Sequence, residues 1–129
     1  MAKIYRVHGI ELSPYSVKVR SYFRYKGIPH RWIPRSLDAE GEYQRFAKLP
    51  LVPLVVTPEN EGIQDSTPII EHVEALHLEP SIHPADPVAK LVSVLFEEFG
   101  DEWVTGGCST IAGGAKRISS RVRGVLPAR

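Results

Sequence analysis

The segment LSPYSVKVR, residues 12–20, marks a change from an extended chain to a helix. Before it, residues 3–8 (KIYRVH) alternate apolar and polar side chains, a pattern typical of a β-strand. Ser13 is a suitable helix N-cap, and Pro14 fits the first helical position because the N–H that it lacks has no helical partner there. The segment therefore predicts a strand–turn–helix unit at the start of the fold.

This first helix is expected to end near Lys26, since Gly27 and Pro29 follow it. Its helical spacing predicts an inner side made of Val17, Ser21 or Tyr22, and Tyr25.

The composition fits one ordinary domain, or a small domain with the beginning of another: 129 residues, 43% hydrophobic, 24% charged, with a formal net charge of +1. This balance gives no general attraction to nucleic acid or to membrane, so neither is expected as a partner. Cys108 is the one cysteine, which excludes an internal disulfide and favours a reducing, cytoplasmic location. Neither a run of about 18 apolar residues nor a signal peptide is recognisable.

Further segments predict the remaining elements of a first domain. Residues 30–35 read as a strand, residues 40–48 as a short helix, residues 54–56 as a buried strand and residues 63–64 as its hairpin partner. The segment DSTPIIEHVEALHL, residues 65–78, predicts a helix with apolar residues at spacings of three and four and with Asp65, Ser66 or Thr67 as N-cap.

This order of elements predicts an α/β fold with a thioredoxin-like four-stranded mixed sheet and flanking helices, followed by a truncated all-α segment. We expect a first domain over residues 1–79 and a proline-rich linker over residues 80–86. Residues 87–104 are expected to form one helix with a broad apolar stripe. Residues 105–129 carry five of the 16 basic residues and no acid, and are expected to be an irregular, disordered or non-native tail.

The tetrapeptide SPYS, Ser13 to Ser16, occupies the place where a thioredoxin-like fold carries its Cys-x-x-Cys pair. A hydroxyl cannot perform disulfide exchange, which needs a thiolate to attack and a thiol to leave. A serine at a helix N-terminus can instead donate a hydrogen bond to the thiolate of a ligand, where the helix dipole already favours negative charge. Ser16 is expected to be an inner helix residue that faces the sheet.

Three segments of the chain resemble the glutathione S-transferase family. SPYSVKVR is similar to the Ser-Pro-x-x-x-(Arg/Lys)-Val-Arg opening of several members, LVPLVV to the family's Val-Pro-x-Leu segment with a cis-proline, and QDSTPIIEHV to its (Glu/Asp)-Ser-x-x-Ile helix start. The resemblance covers residues 3–104, which comprise the N-terminal thioredoxin-like domain and only the start of the C-terminal helical domain.

The resemblance implies a glutathione transferase that conjugates glutathione to a small electrophile, or isomerises one, in detoxification. Glutathione is then a co-substrate, no metal is needed, and a homodimer is expected. Ser13 is the implied catalytic residue and Tyr15 is expected to line the cleft. The implied glutathione-binding residues are Val52, Pro53, Asp65 and Ser66, with Asp65 on the ammonium of the γ-glutamyl group and Ser66 on its carboxylate.

The chain also departs from the family pattern. Many members have Gly-Lys-Val-Pro where this chain has Pro50-Leu51-Val52-Pro53, so this chain lacks the lysine that binds the glycyl carboxylate. Lys48 and Arg35 are the two candidates to take its place. Most of the helical domain that contacts the electrophile is not recognisable. The alternative function is therefore a non-catalytic thioredoxin-fold module that binds glutathione or protein.

Structural readings of the same residues remain open. Ser13, Asp65 and Ser66 are suitable helix caps, and Ser13 can cap and bind a ligand at once. Tyr5 matches the tyrosine of other transferase classes but is expected to be a packing residue. His72 and His77 are five apart and do not share a helix face, so no metal site is expected.

Overall fold

The computed structural model describes residues 4–104, and the expected irregular tail at 105–129 lies outside the described residues. The chain divides into two compact units, residues 1–80 and 81–129. Among the described residues, no helix is both long and apolar enough to cross a membrane.

The first unit is a four-stranded mixed sheet with three helices. In chain order its elements are β1 (Tyr5–Gly9), α1 (Pro14–Tyr25), β2 (His30–Pro34), α2 (Leu37–Phe46), β3 (Leu54–Val56), β4 (Gly62–Gln64) and α3 (Ser66–Leu76). The strand order is β2-β1-β3-β4, with β1 parallel to β2 and with β3 antiparallel to both β1 and β4. The predicted thioredoxin-like sheet is confirmed.

The side chains of β1 point alternately to the two faces of the sheet, as strand geometry requires. Tyr5 contacts Phe23 of α1 at a ring-centroid distance of 5.3 Å, so this face packs on α1. His8 lies 6.2 Å from the ring of Tyr43, so the other face packs on α2. Buried side chains from both faces form the core: Val7, Val19, Phe23, Leu54, Val55, Val56, Ile69 and Val73.

The predicted inner side of α1 is only partly right. Tyr22 is buried, but Tyr25 is 61% exposed, and the core residues of this helix are Val19, Tyr22 and Phe23. The helix ends one residue earlier than Lys26, and Gly27 follows in the left-handed conformation with φ of 66°.

A buried charged group joins α1 to α3. Lys26 Nζ lies 2.8 Å from Glu74 Oε2, and the Tyr22 hydroxyl donates to the same oxygen at 2.6 Å. Lys26 Nζ also donates to the Pro80 carbonyl at 2.8 Å. Since a buried charge is costly without partners, these bonds fix the packing of the two helices.

The short helix predicted at residues 40–48 begins earlier, at Leu37. Ser36 has the extended backbone of an N-cap, and Asp38 and Glu40 in the first turn complement the helix dipole. Tyr43 is its buried residue and packs with Leu54 and Val56.

The second unit begins with helix α4 (Pro87–Glu98), whose N-cap Asp86 accepts a hydrogen bond from Ala89 N at 2.8 Å. The single helix expected over residues 87–104 is not regular, because a π-helical segment, Phe99–Val104, replaces the α-helix after Glu98. The apolar stripe is mostly exposed, at Val88, Val92, Leu95, Phe96, Phe99 and Trp103.

Candidate functional site

The predicted site residues gather at one end of the sheet. Gly9 ends β1 and leads to the start of α1, whereas the antiparallel β3 begins at this same end, since His8 pairs with Leu54. Leu54 pairs in turn with Gln64, the last residue of β4, and α3 starts directly after it. We call this the α1 end of the sheet. It brings together Ser13, Val52, Pro53, Asp65 and Ser66.

Ser13 is the N-cap of α1, with extended backbone angles of φ −86° and ψ 115°. Its Oγ accepts a hydrogen bond from Ser16 N at 3.3 Å. Because Oγ acts there as an acceptor, its own proton can still be donated to another group. Ser13 is half-buried, so a ligand can reach it. Capping and ligand binding are therefore compatible at this residue.

Ser16 faces the sheet, as predicted. It is fully buried, and a Cβ atom placed on Gly9 would lie 2.9 Å from Ser16 Cβ. Its Oγ is buried without a hydrogen-bond partner in the described part of the chain. Tyr15, between the two serines, is half-buried. Of the two serines, Ser13 is the one that a ligand can contact.

The Val52-Pro53 peptide bond is cis, as the resemblance implied. Val52 packs against the cluster of Tyr43, Leu54 and Val56, and Pro53 is buried. The Pro53 carbonyl accepts a hydrogen bond from Asp65 N at 3.1 Å. This bond connects the loop before β3 to the start of α3, so the two predicted glutathione-binding segments are adjacent.

Asp65 is the N-cap of α3, which settles the choice among the three candidates. Its Oδ1 accepts a hydrogen bond from Ser66 N at 2.7 Å. The backbone has φ of 75° and ψ of 143°, a region that residues other than glycine seldom adopt and that is often found at ligand sites. The residue is exposed, whereas Ser66 is buried. Ser66 N is engaged by Asp65 and the Ser66 side chain is buried, so Asp65 is the accessible one of these two predicted contacts.

Arg35 and Lys48, the two candidates for the glycyl carboxylate, differ in their surroundings. The Arg35 guanidinium stacks on Tyr43 at 4.6 Å, and its Nε lies 3.5 Å from Glu40. Lys48 is exposed in the loop before β3.

An ion pair and a buried histidine lie near the α1 end, and neither adds net charge there. Arg20 of α1 binds both carboxylate oxygens of Glu11, at 2.6 and 2.8 Å, and these hydrogen bonds lower the pKa of Glu11. His8 is buried, and this burial lowers its pKa, although Glu42 at 3.7 Å acts in the opposite direction. His8 is therefore neutral at neutral pH and adds no charge behind the site.

A cavity of about 450 Å³ lies at the opposite end of the sheet. Tyr5 at the start of β1, the β3–β4 turn from Thr57 to Glu61, and the last turn of α3 line it. The Tyr5 hydroxyl lies 3.4 Å from His77 Nε2. Among residues 4–104, no group of three or more histidine, cysteine or acidic side chains is placed to hold a metal ion. This cavity is separate from the predicted glutathione-binding residues.

Residues 12–76 match the family model of the glutathione S-transferase N-terminal domain. No curated protein sequence has a significant match to the chain.

Solved structures show the same fold at low sequence identity. A glutathione S-transferase from Methylobacterium radiotolerans, in complex with glutathione sulfonate, superposes with a TM-score of 0.65 at 24% identity, over 95% of this chain and 60% of that one. A Tau class glutathione S-transferase from mango, Mangifera indica, superposes with a TM-score of 0.68 at 17% identity, over 94% of this chain and 55% of that one. Maleylacetoacetate isomerase from Anaeromyxobacter dehalogenans, with bound glutathione, superposes with a TM-score of 0.59 at 21% identity, over 78% of this chain and 50% of that one.

This chain thus spans about half to three-fifths of the length of these structures. The family model matches half of the chain and falls on the segments that form the α1 end of the sheet. On this match, with the thioredoxin-like sheet and its cis Val52-Pro53 bond, the chain belongs to the glutathione S-transferase family.

Proposed function

We propose that this protein is a glutathione transferase that binds glutathione at the α1 end of the sheet and stabilises its thiolate with Ser13. The main support for the proposal is the Ser13 hydroxyl. Its oxygen caps α1 as an acceptor, so its proton remains available for donation to a ligand. The complexes of two structural neighbours with glutathione sulfonate and with glutathione support the choice of ligand.

In the proposed complex, each part of glutathione meets one segment of the site. The cysteinyl part pairs with the backbone of Val52, as an added antiparallel strand. The exposed carboxylate of Asp65 binds the γ-glutamyl ammonium, and the N-terminus of α3 at Ser66 attracts the γ-glutamyl carboxylate. Lys48 is the proposed partner of the glycyl carboxylate, because the Arg35 guanidinium is engaged with Glu40 and Tyr43.

The proposed chemistry is attack by the glutathione sulfur. A free thiol has a pKa of about 8.5, and only its thiolate is an effective nucleophile. The Ser13 proton and the N-terminus of α1 favour that thiolate. Its electron pair forms the new S–C bond, while the electrophile either releases a leaving group or accepts the displaced π electrons and then a proton. An isomerase reaction would add and later expel the same sulfur.

The test is a spectrophotometric conjugation assay with a chloronitrobenzene electrophile, on the wild type and on Ser13→Ala. Loss of a charge-assisted hydrogen bond is expected to reduce kcat/KM about ten- to a hundredfold. Ser16→Ala is the matched control, because its hydroxyl is buried and has no partner in the described part of the chain. This control is expected to keep full activity.

Equal activity of Ser13→Ala and the wild type would contradict the thiolate role of Ser13. Absence of conjugation in both proteins, with glutathione still bound, would favour the alternative of a non-catalytic module.

The proposal also includes a cytoplasmic location, a role in detoxification and a homodimer, without a metal or nucleic acid. The exposed apolar residues Leu95 and Phe96 of α4, and Phe99 directly after it, support association with further protein surface.

A further inference from the structure

A side-chain clamp holds the loop that precedes the cis-proline. Gln64 Oε1 accepts hydrogen bonds from Lys48 N at 2.7 Å and from Leu49 N at 3.0 Å. Gln64 Nε2 donates to the Leu49 carbonyl at 2.7 Å and to the Leu51 carbonyl at 3.0 Å. Four backbone groups of residues 48–51 are thus bound by one side chain.

Only a primary amide provides this set of bonds. The glutamine oxygen has two lone pairs for two N–H groups, and the nitrogen has two protons for two carbonyls. The reverse orientation of the amide would place donor against donor and acceptor against acceptor, so the orientation is determined by its partners. A carboxylate of the same shape would lose both donated bonds.

Tyr43 of α2 reinforces the clamp from inside. Its hydroxyl lies 2.7 Å from the Leu51 carbonyl and 3.0 Å from the Leu49 carbonyl, and it shares its single proton between them. Its ring is buried and packs with Leu54, and Val52 is packed against the same cluster. The loop is therefore held by Gln64 on its exposed side and by Tyr43 on its buried side.

The clamp ends where the proposed glutathione contacts begin. Val52 follows Leu51 directly, and Asp65 follows Gln64 directly. The side chain of Gln64 thus sets the approach to the cysteinyl contact, and its backbone in β4 sets the position of the γ-glutamyl contact. Since a binding site loses affinity when its backbone shifts by about an ångström, this double attachment bears on ligand binding.

We propose that Gln64 is a positioning residue for glutathione, which holds residues 48–51 so that the Val52 backbone can pair with the cysteinyl part of the ligand. This inference rests on the proposed function.

The test compares Gln64→Glu with Gln44→Glu. Gln44 is a matched control because its amide lies on the exposed side of α2, where its Nε2 donates only to the Glu40 side chain at 3.1 Å among the bonds of the described residues. Isothermal titration with glutathione at about pH 7.5 is expected to show a Kd for Gln64→Glu at least about tenfold above that of the wild type. Gln44→Glu is expected to stay within about twofold.

A pH series separates positioning from general loss of stability. When the introduced carboxylate is protonated, it regains one donor for the Leu49 or Leu51 carbonyl. The Kd of Gln64→Glu relative to that of the wild type is therefore expected to fall again near pH 5, whereas Gln64→Leu shows a raised Kd without this recovery. Hydrogen exchange of the Lys48 and Leu49 amides is expected to accelerate in Gln64→Leu, and this readout does not need ligand.

The outcomes distinguish the two proposals. If the wild type binds glutathione and Gln64→Glu binds it with the same Kd, the role of Gln64 is overturned and the proposed function is not. A wild type that does not bind glutathione would overturn the proposed function, and with it this role. If Gln64→Glu fails to fold, Gln64→Leu decides, and an unchanged Kd there overturns the inference.

Discussion

The two ends of the sheet differ in what they offer a ligand. The α1 end carries the Ser13 hydroxyl, the cis Val52-Pro53 bond and the positive φ of Asp65. The opposite end has a cavity of about 450 Å³, lined mostly by side chains such as Tyr5, Leu76 and His77. A cavity alone therefore does not decide where a ligand binds. The proposed site depends instead on backbone geometry and helix N-termini, which present directed polar groups suited to an anionic, peptide-like ligand.

Of the substitutions that compare the two ends, the one at Asp65 is expected to have the largest effect on glutathione binding. Asp65→Asn keeps an N-cap oxygen for Ser66 N and tolerates the positive φ, but it removes the charge that we propose binds the γ-glutamyl ammonium. We expect the Kd for glutathione to rise about tenfold, with the melting temperature nearly unchanged. Titration calorimetry and thermal unfolding measure the two quantities.

Asp86→Asn is the control for this prediction, because Asp86 is also a helix N-cap and its Oδ1 accepts a hydrogen bond from Ala89 N. Equal glutathione affinity in Asp65→Asn and Asp86→Asn would show that the charge of Asp65 is not used for binding.

The smallest expected effect lies at the opposite end. Burial, with a smaller contribution from Glu59, raises the pKa of Tyr5, so the phenol stays protonated at neutral pH. Tyr5 is also four residues, or about 13 Å of strand, away from Gly9 and the start of α1. Tyr5→Phe is therefore expected to keep its conjugation activity and to change the free energy of unfolding by less than about 1 kcal/mol. A loss of activity in the conjugation assay would mean that a tyrosine, rather than Ser13, activates the thiol.

Much of the α1 end could be predicted from sequence because its elements begin at local chemical groups. Ser13 and Pro14 start a helix by capping, and the same reasoning placed the start of α3 at Asp65, Ser66 or Thr67. These rules depend on neighbouring residues only. They cannot show that Asp65 has a φ of 75°, nor that its N–H binds the carbonyl of Pro53, a residue of a different segment.

Other features could not be predicted because tertiary packing determines them. The inner side of α1 was wrongly assigned to Tyr25, because α1 turns Phe23 toward Tyr5 of β1 and Tyr22 toward Glu74 of α3. Gln64 stands at the end of a short strand, and the helix-start motif that the sequence offers begins only at the next residue, Asp65. Its role depends on a loop about 15 residues earlier, which no local pattern connects to it. Long-range side-chain-to-backbone bonds of this kind are invisible to periodicity.

The most direct measurement is a map of amide NMR shifts during titration of the full chain with glutathione. We expect shifts at Ser16, Val52, Asp65 and Ser66 around the α1 end, with none at Thr57, His72 and His77 around the cavity. Shifts confined to the cavity residues, with unchanged amides at the starts of α1 and α3, would contradict glutathione binding at the α1 end.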